Sequence, residues 1–318
     1  MKKLIALASV AMLIGACAKD DNGSEESDLY PKKLIMTDSQ GGRKVQALTF
    51  SGGKLVRIED IEGDEAHRDV STSTYQGDLL VHSTWGDKSE NTEDTYTYED
   101  GHIKINKQIY RTEYGGEEKD DPIHKKISNI TYTYHYNGGK LSGWTKEEDT
   151  KSTVTLGGTS TTTTEKRTTE YTLAYINDLE VKVIQEKTAS SEAEYTKVYF
   201  DKSGAVLAYD WLTSDGVTVD RRTEYTYGQG ANWLNTVSEP AVMTHPYLVY
   251  GQEGYAINNV NLLLTEKDYR KGTLLKDTKI DYFYDHRNRL VKTIETIKTR
   301  NSELSQWKER TVTTEYEY

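Results

Sequence analysis

The side chains able to perform chemistry in this 318-residue chain are one thiol, seven imidazoles and several clustered carboxylates. Two carboxylates about 5 to 9.5 Å apart are enough for glycoside hydrolysis, and Glu113 with the acidic residues of 117–121 supplies such candidates. An acidic cluster can also bind Ca²⁺, but the spacing of an EF-hand loop is absent here. We expect a solvated acidic loop, and we keep a carboxylate-dependent glycoside hydrolase as the least favoured alternative.

The seven histidines form no recognised catalytic or metal-binding pattern. The chain has no HExxH pair, no Gly-x-Ser-x-Gly elbow, no Walker loop and no Rossmann glycine run. Isolated histidines in strands or turns are usually surface residues, and His286 fits a turn better than a catalytic site. The sequence therefore predicts a protein that is not an enzyme and that carries no cofactor and no metal.

The single cysteine, Cys17, follows a short export segment. Lys2 and Lys3 form a positive start, residues 4–14 are mostly apolar, and small residues precede the cysteine, which is the layout of a cleavable secretory signal. The apolar stretch is too short to cross a bilayer core of about 30 Å. We predict a signal peptide over residues 1–16.

The run from residue 13 to Cys17 resembles the lipobox of bacterial lipoproteins. The resemblance implies a diacylglycerol thioether on Cys17, cleavage before it and acylation of the new N-terminus. Two or three acyl chains hold a protein durably on a membrane, so the expected partner is the lipid bilayer through acylated Cys17. The alternative is a chance cysteine in an ordinary signal peptide.

Residues 17–29 are polar and acidic without apolar periodicity, which predicts a disordered tether after the lipidated cysteine. Lys19, Asp20 and Asp21 resemble the acidic export signal with which one Gram-negative phylum sends lipoproteins to the outer face of its outer membrane. That resemblance implies an outer-membrane protein that faces the cell exterior. A solvated linker whose charges carry no address is the alternative.

The charge of the chain restricts its partners. Removing residues 1–16 takes away two lysines and no acidic residue, so the formal net charge changes from −11 to −13. Such an acidic chain disfavours nucleic acid and anionic lipid as partners. With Cys17 acylated no thiol remains, which excludes disulfides, iron–sulfur clusters and thiolate zinc sites.

A repeated hairpin pattern predicts the elements that would position any site. It consists of an aromatic residue, a polar turn that usually contains glycine, and a branched aliphatic residue, and glycine, asparagine and aspartate supply the positive φ of tight turns. Seven copies begin at Phe50, Tyr75, Tyr98, Tyr136, Tyr175, Phe200 and Tyr284, and their aliphatic residues are Leu55, Leu79, Ile103, Leu141, Leu179, Val206 and Leu290. The 24 tyrosines, against 3 phenylalanines, favour strands between these turns.

Residues 284–290, with Thr293, look like the YD repeat of bacterial wall-associated and toxin-encapsulating proteins, and residues 98–103 and 136–141 are degenerate copies. Together with the lipobox and the acidic tether, these hairpins resemble an uncharacterised lipoprotein family of gut-type bacteria with a domain of unknown function described as porin-like. The resemblance covers residues 30–318 and implies no catalytic residues.

The strand composition argues against a membrane-spanning barrel. Transmembrane strands need an outward apolar face over about 9 to 11 residues. Here the face opposite the tyrosines carries Thr, Lys and Glu, as in residues 168–172 and 221–225. We therefore predict an all-β, water-soluble protein: one domain over residues 30–318, built as a long antiparallel hairpin meander that forms a curled, barrel-like sheet.

Residues 228–264 interrupt the repeat and predict an irregular insertion that serves either as a site or as a cap of the sheet. Trp233, Tyr247, Tyr250 and Tyr255 lie in it, and their flat rings suit sugars and peptides, so we predict them as ligand-binding residues. By contrast, we expect the tryptophans that follow hairpin turns to fill the sheet core; these are Trp85, Trp144 and Trp211.

The sequence thus favours a membrane-anchored, surface-exposed lipoprotein that acts as a non-catalytic binding or interaction module for a glycan or an envelope protein. A structural envelope scaffold is the alternative.

Overall fold

Each strand of the protein pairs with the strands before and after it along the chain. The computed structural model describes residues 30–62, 68–116, 121–186, 192–202, 205–231 and 261–318. In these ranges the chain forms eighteen antiparallel strands, and the last strand pairs with the first. The sheet is therefore a closed up-and-down barrel, which confirms the predicted all-β, barrel-like meander.

The strands have the following bounds: β1 Lys33–Asp38, β2 Arg43–Ser51, β3 Lys54–Asp60, β4 Val70–Gln76, β5 Leu79–Gly86, β6 Glu90–Glu99, β7 His102–Tyr114, β8 Ile123–Asn137, β9 Lys140–Leu156, β10 Thr159–Asn177, β11 Glu180–Gln185, β12 Glu194–Phe200, β13 Val206–Leu212, β14 Val219–Ala231, β15 Asn261–Arg270, β16 Thr273–Tyr284, β17 Leu290–Thr299 and β18 Lys308–Glu317.

The predicted turns all join an even-numbered strand to the next strand. Asp100 and Gly101, with φ of 53° and 78°, form the two-residue turn between β6 and β7, since a type I′ turn needs positive φ at both central residues. A register shift then occurs between Thr97 and Tyr98, so Tyr98 pairs with Ile103. Because the strands alternate in direction, all seven turns lie at one end of the barrel, which we call the repeat end; the opposite end is the far end.

Two of the predicted aliphatic partners are displaced. Tyr75 pairs with Leu80 rather than Leu79, and Tyr175 lies opposite Val181 rather than Leu179. Each hairpin has a bulge at its aromatic residue, and Tyr75 has the same five-residue spacing to its partner as Tyr98 and Tyr136, whereas Tyr175 has a spacing of six. Leu80 and Val181 are consequently buried in the core, whereas Leu179 is exposed.

The two faces of the sheet differ in burial. Tyr132 and Tyr134 of β8 are buried, while the alternating Thr131 and Thr133 are half-buried and His135 is exposed. Following the register from strand to strand assigns one tyrosine-bearing face to the whole sheet. We call it the tyrosine face and the other the charged face. The predicted alternation of tyrosine with threonine is confirmed.

The tyrosine face lines the inside of the barrel. Asn106, Trp144 and Val198 belong to it and are 0%, 2% and 0% exposed. Side chains converge on the concave side of a closed sheet and diverge on its convex side, so the face that carries the continuous buried cluster is the concave one. Trp144 stacks on Tyr171 with ring centroids 4.4 Å apart, inside a core cluster that reaches from β5 to β15.

Tyrosine hydroxyls tie neighbouring hairpins together at the repeat end. Each donates a hydrogen bond to the backbone carbonyl of the aliphatic residue on the preceding strand, six at 2.6–3.0 Å and one, from Tyr75, at 3.5 Å. The pairs are Tyr75 and Leu55, Tyr98 and Leu80, Tyr136 and Ile103, Tyr175 and Leu141, Tyr227 and Val206, Tyr282 and Leu263, and Tyr318 and Leu290. We call this ring the tyrosine belt.

Four consecutive strands become progressively longer. The number of residues increases from 13 in β7 through 15 in β8 and 17 in β9 to 19 in β10. Because their repeat-end turns are level with the others, the extra length projects from the far end. Residues 160–168 of β10 are all exposed there. We call this projection the lip.

The tryptophans expected in the core fall in three environments. Trp144 is buried as predicted, and Trp211 packs against the same core with the Arg221 guanidinium 5.0 Å from its ring. Trp85 is 51% exposed, so its core assignment is wrong. It lies at the far end of β5, whereas the buried apolar residues that the hairpin repeat supplies, called here the apolar layers, lie near the repeat turns.

Candidate functional site

Most residues that the sequence singled out lie outside the described ranges. These are Cys17, Lys19, Asp20 and Asp21 of the anchor and Trp233, Tyr247, Tyr250 and Tyr255 of the insertion. The described ends of the insertion belong to strands, since β14 extends to Ala231 and β15 begins at Asn261. Both ends are at the repeat end of the barrel, where Tyr227 pairs with Leu263.

The carboxylates suggested for hydrolysis lie partly outside the described ranges. Glu113 forms an ion pair of 2.9 Å with Lys125 on the facing strand. Asp121 is described, whereas Glu117, Glu118 and Asp120 are not. Across the described ranges no group of three or more His, Cys, Asp or Glu side chains is placed to hold a metal ion.

The histidines within the described ranges serve different local contacts. The His135 Nε2 lies 3.0 Å from the Thr145 hydroxyl, and the His82 Nε2 lies 3.4 Å from Glu93. His124 stacks on Tyr114, with ring centroids 4.7 Å apart and planes 6° from parallel. The other described histidines are His102, beside the Tyr136 ring, and His286, in the turn before β17.

One carboxylate inside the barrel has an altered proton affinity. Asp94 on the tyrosine face is 6% exposed, and burial raises its pKa to about 6. The Gln108 side-chain amide donates a hydrogen bond of 3.2 Å to the Asp94 carboxylate, which favours the ionised form but does not offset burial. Asp94 is thus a group that changes charge near pH 6 inside the barrel.

A second buried carboxylate lies on the charged face. Asp210 is 2% exposed, and it accepts hydrogen bonds from the Arg222 guanidinium at 3.0 and 3.2 Å and from the Tyr199 hydroxyl at 2.7 Å. Burial, followed by the hydrogen bond to Asp210, raises the pKa of Tyr199 to about 12. Each polar group here has a partner within the cluster, which is the pattern of a structural ion pair.

The two most exposed aromatic rings of the described residues lie at the far end of the tyrosine face. Trp85 is 51% exposed and Tyr114 is 62% exposed. Each ring directly precedes a glycine: Gly86, with φ 118°, is the last residue of β5, and Gly115, with φ 91°, follows the last residue of β7. We call Trp85, Tyr114 and the side chains between them the aromatic mouth.

The two glycines fix the backbone of the aromatic mouth. A Cβ atom on Gly86 would lie 2.0 Å from the Glu90 carbonyl oxygen, and one on Gly115 would lie 2.1 Å from the Pro122 carbonyl oxygen. Only glycine permits so close an approach at positive φ. The backbone amide of Glu113 also donates a 2.7 Å hydrogen bond to the Ser89 carbonyl, which joins the two turns.

Sequence reasoning missed the aromatic mouth because it followed the aromatic residues next to the repeat turns. The available signal was the Trp-Gly and Tyr-Gly pairs at 85–86 and 114–115, each at the opposite end of a strand from its repeat turn. An aromatic residue that lies far from the apolar layers cannot be covered by them, so exposure could have been expected.

Comparison with known proteins finds similarity only among solved structures. No family model matches the chain, and no curated protein is similar in sequence. A porin-like protein from Bacteroides uniformis is 14% identical, with 90% of this chain and 96% of that chain covered and a TM-score of 0.36. A porin-like protein from Bacteroides vulgatus is also 14% identical, with 92% and 99% covered and a TM-score of 0.39.

These neighbours carry the porin-like description that the sequence resemblance predicted. With TM-scores below 0.5 the superpositions are loose, so the barrel assignment rests on the strand pairing of this chain and not on them. The lipoprotein and YD-repeat features stay predictions.

Proposed function

We propose that the protein is a lipid-anchored, non-catalytic binding module that faces the cell exterior and presents the far end of its barrel to a glycan or an envelope protein. The observation that carries the proposal is the polarity of the barrel. Tyr30, the first described residue, stacks on Phe50 beside the repeat turn between β2 and β3. A tether that ends there would hold the repeat end near the membrane and leave the aromatic mouth pointing away.

The composition of both faces supports anchoring by lipid and not by the strands. The charged face carries ion pairs such as Lys166 with Asp149 at 3.0 Å and Lys298 with Glu309 at 3.3 Å. The tyrosine face is also charged toward the far end, where Lys146 pairs with Glu148 at 3.1 Å. A transmembrane barrel needs an apolar band about 25 Å tall on its outside, and neither face of the described strands provides one. No helix long and apolar enough to cross a bilayer occurs among the described residues.

The location is tested by protease treatment of intact and lysed cells that carry the full-length protein. We expect digestion on intact cells for the native chain and protection after Lys19, Asp20 and Asp21 are replaced by alanine. Alanine at Ser24, Glu25 and Glu26 is the control, because it also removes two tether carboxylates but leaves the residues beside Cys17 unchanged. Protection of the native chain until lysis would overturn the surface assignment.

The orientation is tested with a short epitope inserted in one of two glycine turns. Gly157–Gly158 lies on the lip at the far end, and Gly138–Gly139 lies at the repeat end. We expect antibody to label intact cells that carry the first insertion more strongly than those that carry the second. Cys17→Ala should release both forms from the membrane. Stronger labelling at Gly138–Gly139 would contradict the orientation.

A further inference from the structure

We infer that the aromatic mouth is an oligosaccharide-binding site for neutral glycans, with the rings of Trp85 and Tyr114 as its two platforms. The inference rests on the proposed function, because it names the ligand class of the surface that the anchored barrel would present. The two proposed contact residues belong to strands of the barrel, Trp85 to β5 and Tyr114 to β7.

The register puts both rings on one face. Trp85 of β5 lies opposite Thr92 of β6, and Thr92 lies opposite Tyr110 of β7. Tyr114 is four residues beyond Tyr110 on the same strand, so its side chain has the same direction. A single ligand on the tyrosine face can therefore reach both platforms.

The Tyr114 ring and the backbone after each of the two rings are held in place before any ligand binds. Tyr114 stacks nearly parallel on His124 at 4.7 Å, so one side of its ring is supported while the residue stays 62% exposed. Gly86 and Gly115 fix the backbone after each ring through the close contacts given above. A preorganised ring loses little conformational entropy when it binds.

The spacing of the platforms suits a chain of sugar rings. Two strand steps of about 4.8 Å and, at right angles to them, four residues of about 3.4 Å put Trp85 and Tyr114 roughly 17 Å apart. A tri- or tetrasaccharide covers such a span, whereas one sugar does not. The face of each aromatic side chain would stack against the apolar face of one sugar ring, because flat apolar surfaces pack well against each other.

The surface between the platforms is polar and of mixed charge. The Tyr110 hydroxyl donates a 2.8 Å hydrogen bond to Glu90, and Thr92 and Thr112 lie on the same face. Lys126 is opposite Thr112. Hydroxyls and one charge of each sign suit the hydroxyls of an uncharged sugar and do not select an anion.

The same separation argues against a protein partner at this surface. Binding residues of protein interfaces cluster in a patch that excludes water, and here Thr92, Glu90 and Thr112 separate the two aromatic rings. A sugar chain has apolar ring faces as well as hydroxyls, so it can contact both aromatic rings and the polar side chains between them.

The test uses the full-length lipoprotein in detergent and a panel of neutral tetrasaccharides: cello-, malto-, xylo-, manno- and chitotetraose. Binding is measured by calorimetry and by tryptophan fluorescence. At least one tetrasaccharide should bind, and Trp85→Ala and Tyr114→Ala should each weaken it at least tenfold without lowering the melting temperature. Tyr114→Phe keeps the platform and should bind as the native chain does.

Trp307→Ala is the control. Trp307 is another exposed tryptophan at the far end, with 40% exposure, but it lies before β18 beside Arg300 and outside the aromatic mouth. Its affinity should equal that of the native chain. The inference would be overturned if none of the tetrasaccharides bound, or if binding were unchanged by both Trp85→Ala and Tyr114→Ala. Binding of a casein digest that the same substitutions abolish would also overturn it, in favour of peptides. None of these results bears on cell-surface location, which the protease experiment decides separately.

Discussion

The Tyr98 hydroxyl donates a 2.6 Å hydrogen bond to the backbone carbonyl of Leu80 on the neighbouring strand. The same contact recurs around the repeat end as the tyrosine belt. The belt accounts for seven of the 24 tyrosines, since a phenylalanine at these positions would fill the core but could not join two hairpins. Phe50 and Phe200 occupy the corresponding position in two hairpins, so the ring is the common requirement and the hydroxyl adds to it.

Tyr98→Phe should lower the free energy of unfolding by about 1 kcal/mol, because one intramolecular hydrogen bond is lost while the buried ring remains. Urea unfolding followed by fluorescence measures the change. Tyr114→Phe, whose hydroxyl lies on a 62% exposed side chain, is the matched control and should have no effect. Equal losses in the two variants would show that the belt contributes nothing specific.

Trp144→Ala should destabilise the barrel by about 3–5 kcal/mol, the usual cost of removing a buried aromatic side chain. Trp144 is 2% exposed and stacks on Tyr171, so its loss leaves a cavity in the core. Trp307→Ala should change stability by no more than about 0.5 kcal/mol, as exposed substitutions do. Thermal unfolding by circular dichroism compares the two, and a similar shift in both would contradict the core assignment.

Gly143→Ala should cost about 3 kcal/mol or more, because the added Cβ would lie 2.3 Å from the Tyr171 carbonyl oxygen on the neighbouring strand. Gly157→Ala provides the comparison. Gly157 has a φ of 55° but no atom within 4 Å of the added Cβ, so its cost is limited to about 1–2 kcal/mol of backbone strain. Denaturant titration of both variants gives the order, and a larger loss at Gly157 would contradict the close approach.

Asp94 should make the barrel more stable as the pH falls from 7 to 4. Its pKa is raised to about 6 in the folded chain, so the folded state binds the proton more tightly than the unfolded state, and stability decreases as the pH rises through this window. The effect is on the order of 2–3 kcal/mol, since one pKa unit corresponds to about 1.4 kcal/mol. Asp94→Asn cannot ionise and should remove it.

The comparison is made by measuring unfolding of the native chain and of Asp94→Asn at several pH values. The difference between the two proteins isolates Asp94 from other groups such as Glu295, whose pKa burial also raises. If the stability of the two proteins changed with pH in the same way, Asp94 would not be the source of the effect.

The fold was predictable from the sequence to the extent that its signals are local. Asp100-Gly101 and Gly138-Gly139 must form tight turns because they supply positive φ, and the alternation of residues 131–136 assigns Tyr132 and Tyr134 to one face. Closure was not predictable, because the pairing of Leu34 with Tyr316 is set by the curvature of the whole sheet and not by either segment. The partner of Tyr75, Leu80, could have been predicted, because it has the five-residue spacing found at Tyr98 and Tyr136.

The site was less predictable than the fold. Aromatic type alone does not distinguish Trp144 from Trp85, since both follow a hairpin turn. Their distances from that turn differ: Trp144 lies three residues beyond its partner Leu141, whereas Trp85 lies five residues beyond Leu80 and so outside the apolar layers. The four insertion residues, from Trp233 to Tyr255, stay predictions.

Closure of the barrel by β1 and β18 has a consequence for the order of folding. Every other strand pair described here joins neighbouring segments, but Lys33 meets Glu317 across nearly the whole chain. A chain that emerges from its N-terminus can build hairpins one after another, yet β1 keeps an unpaired edge until β18 has been made. Loss of β18 would leave two such edges open, and an open edge is a template for pairing with other chains. The C-terminal strand is thus the element that turns an aggregation-prone sheet into a discrete molecule.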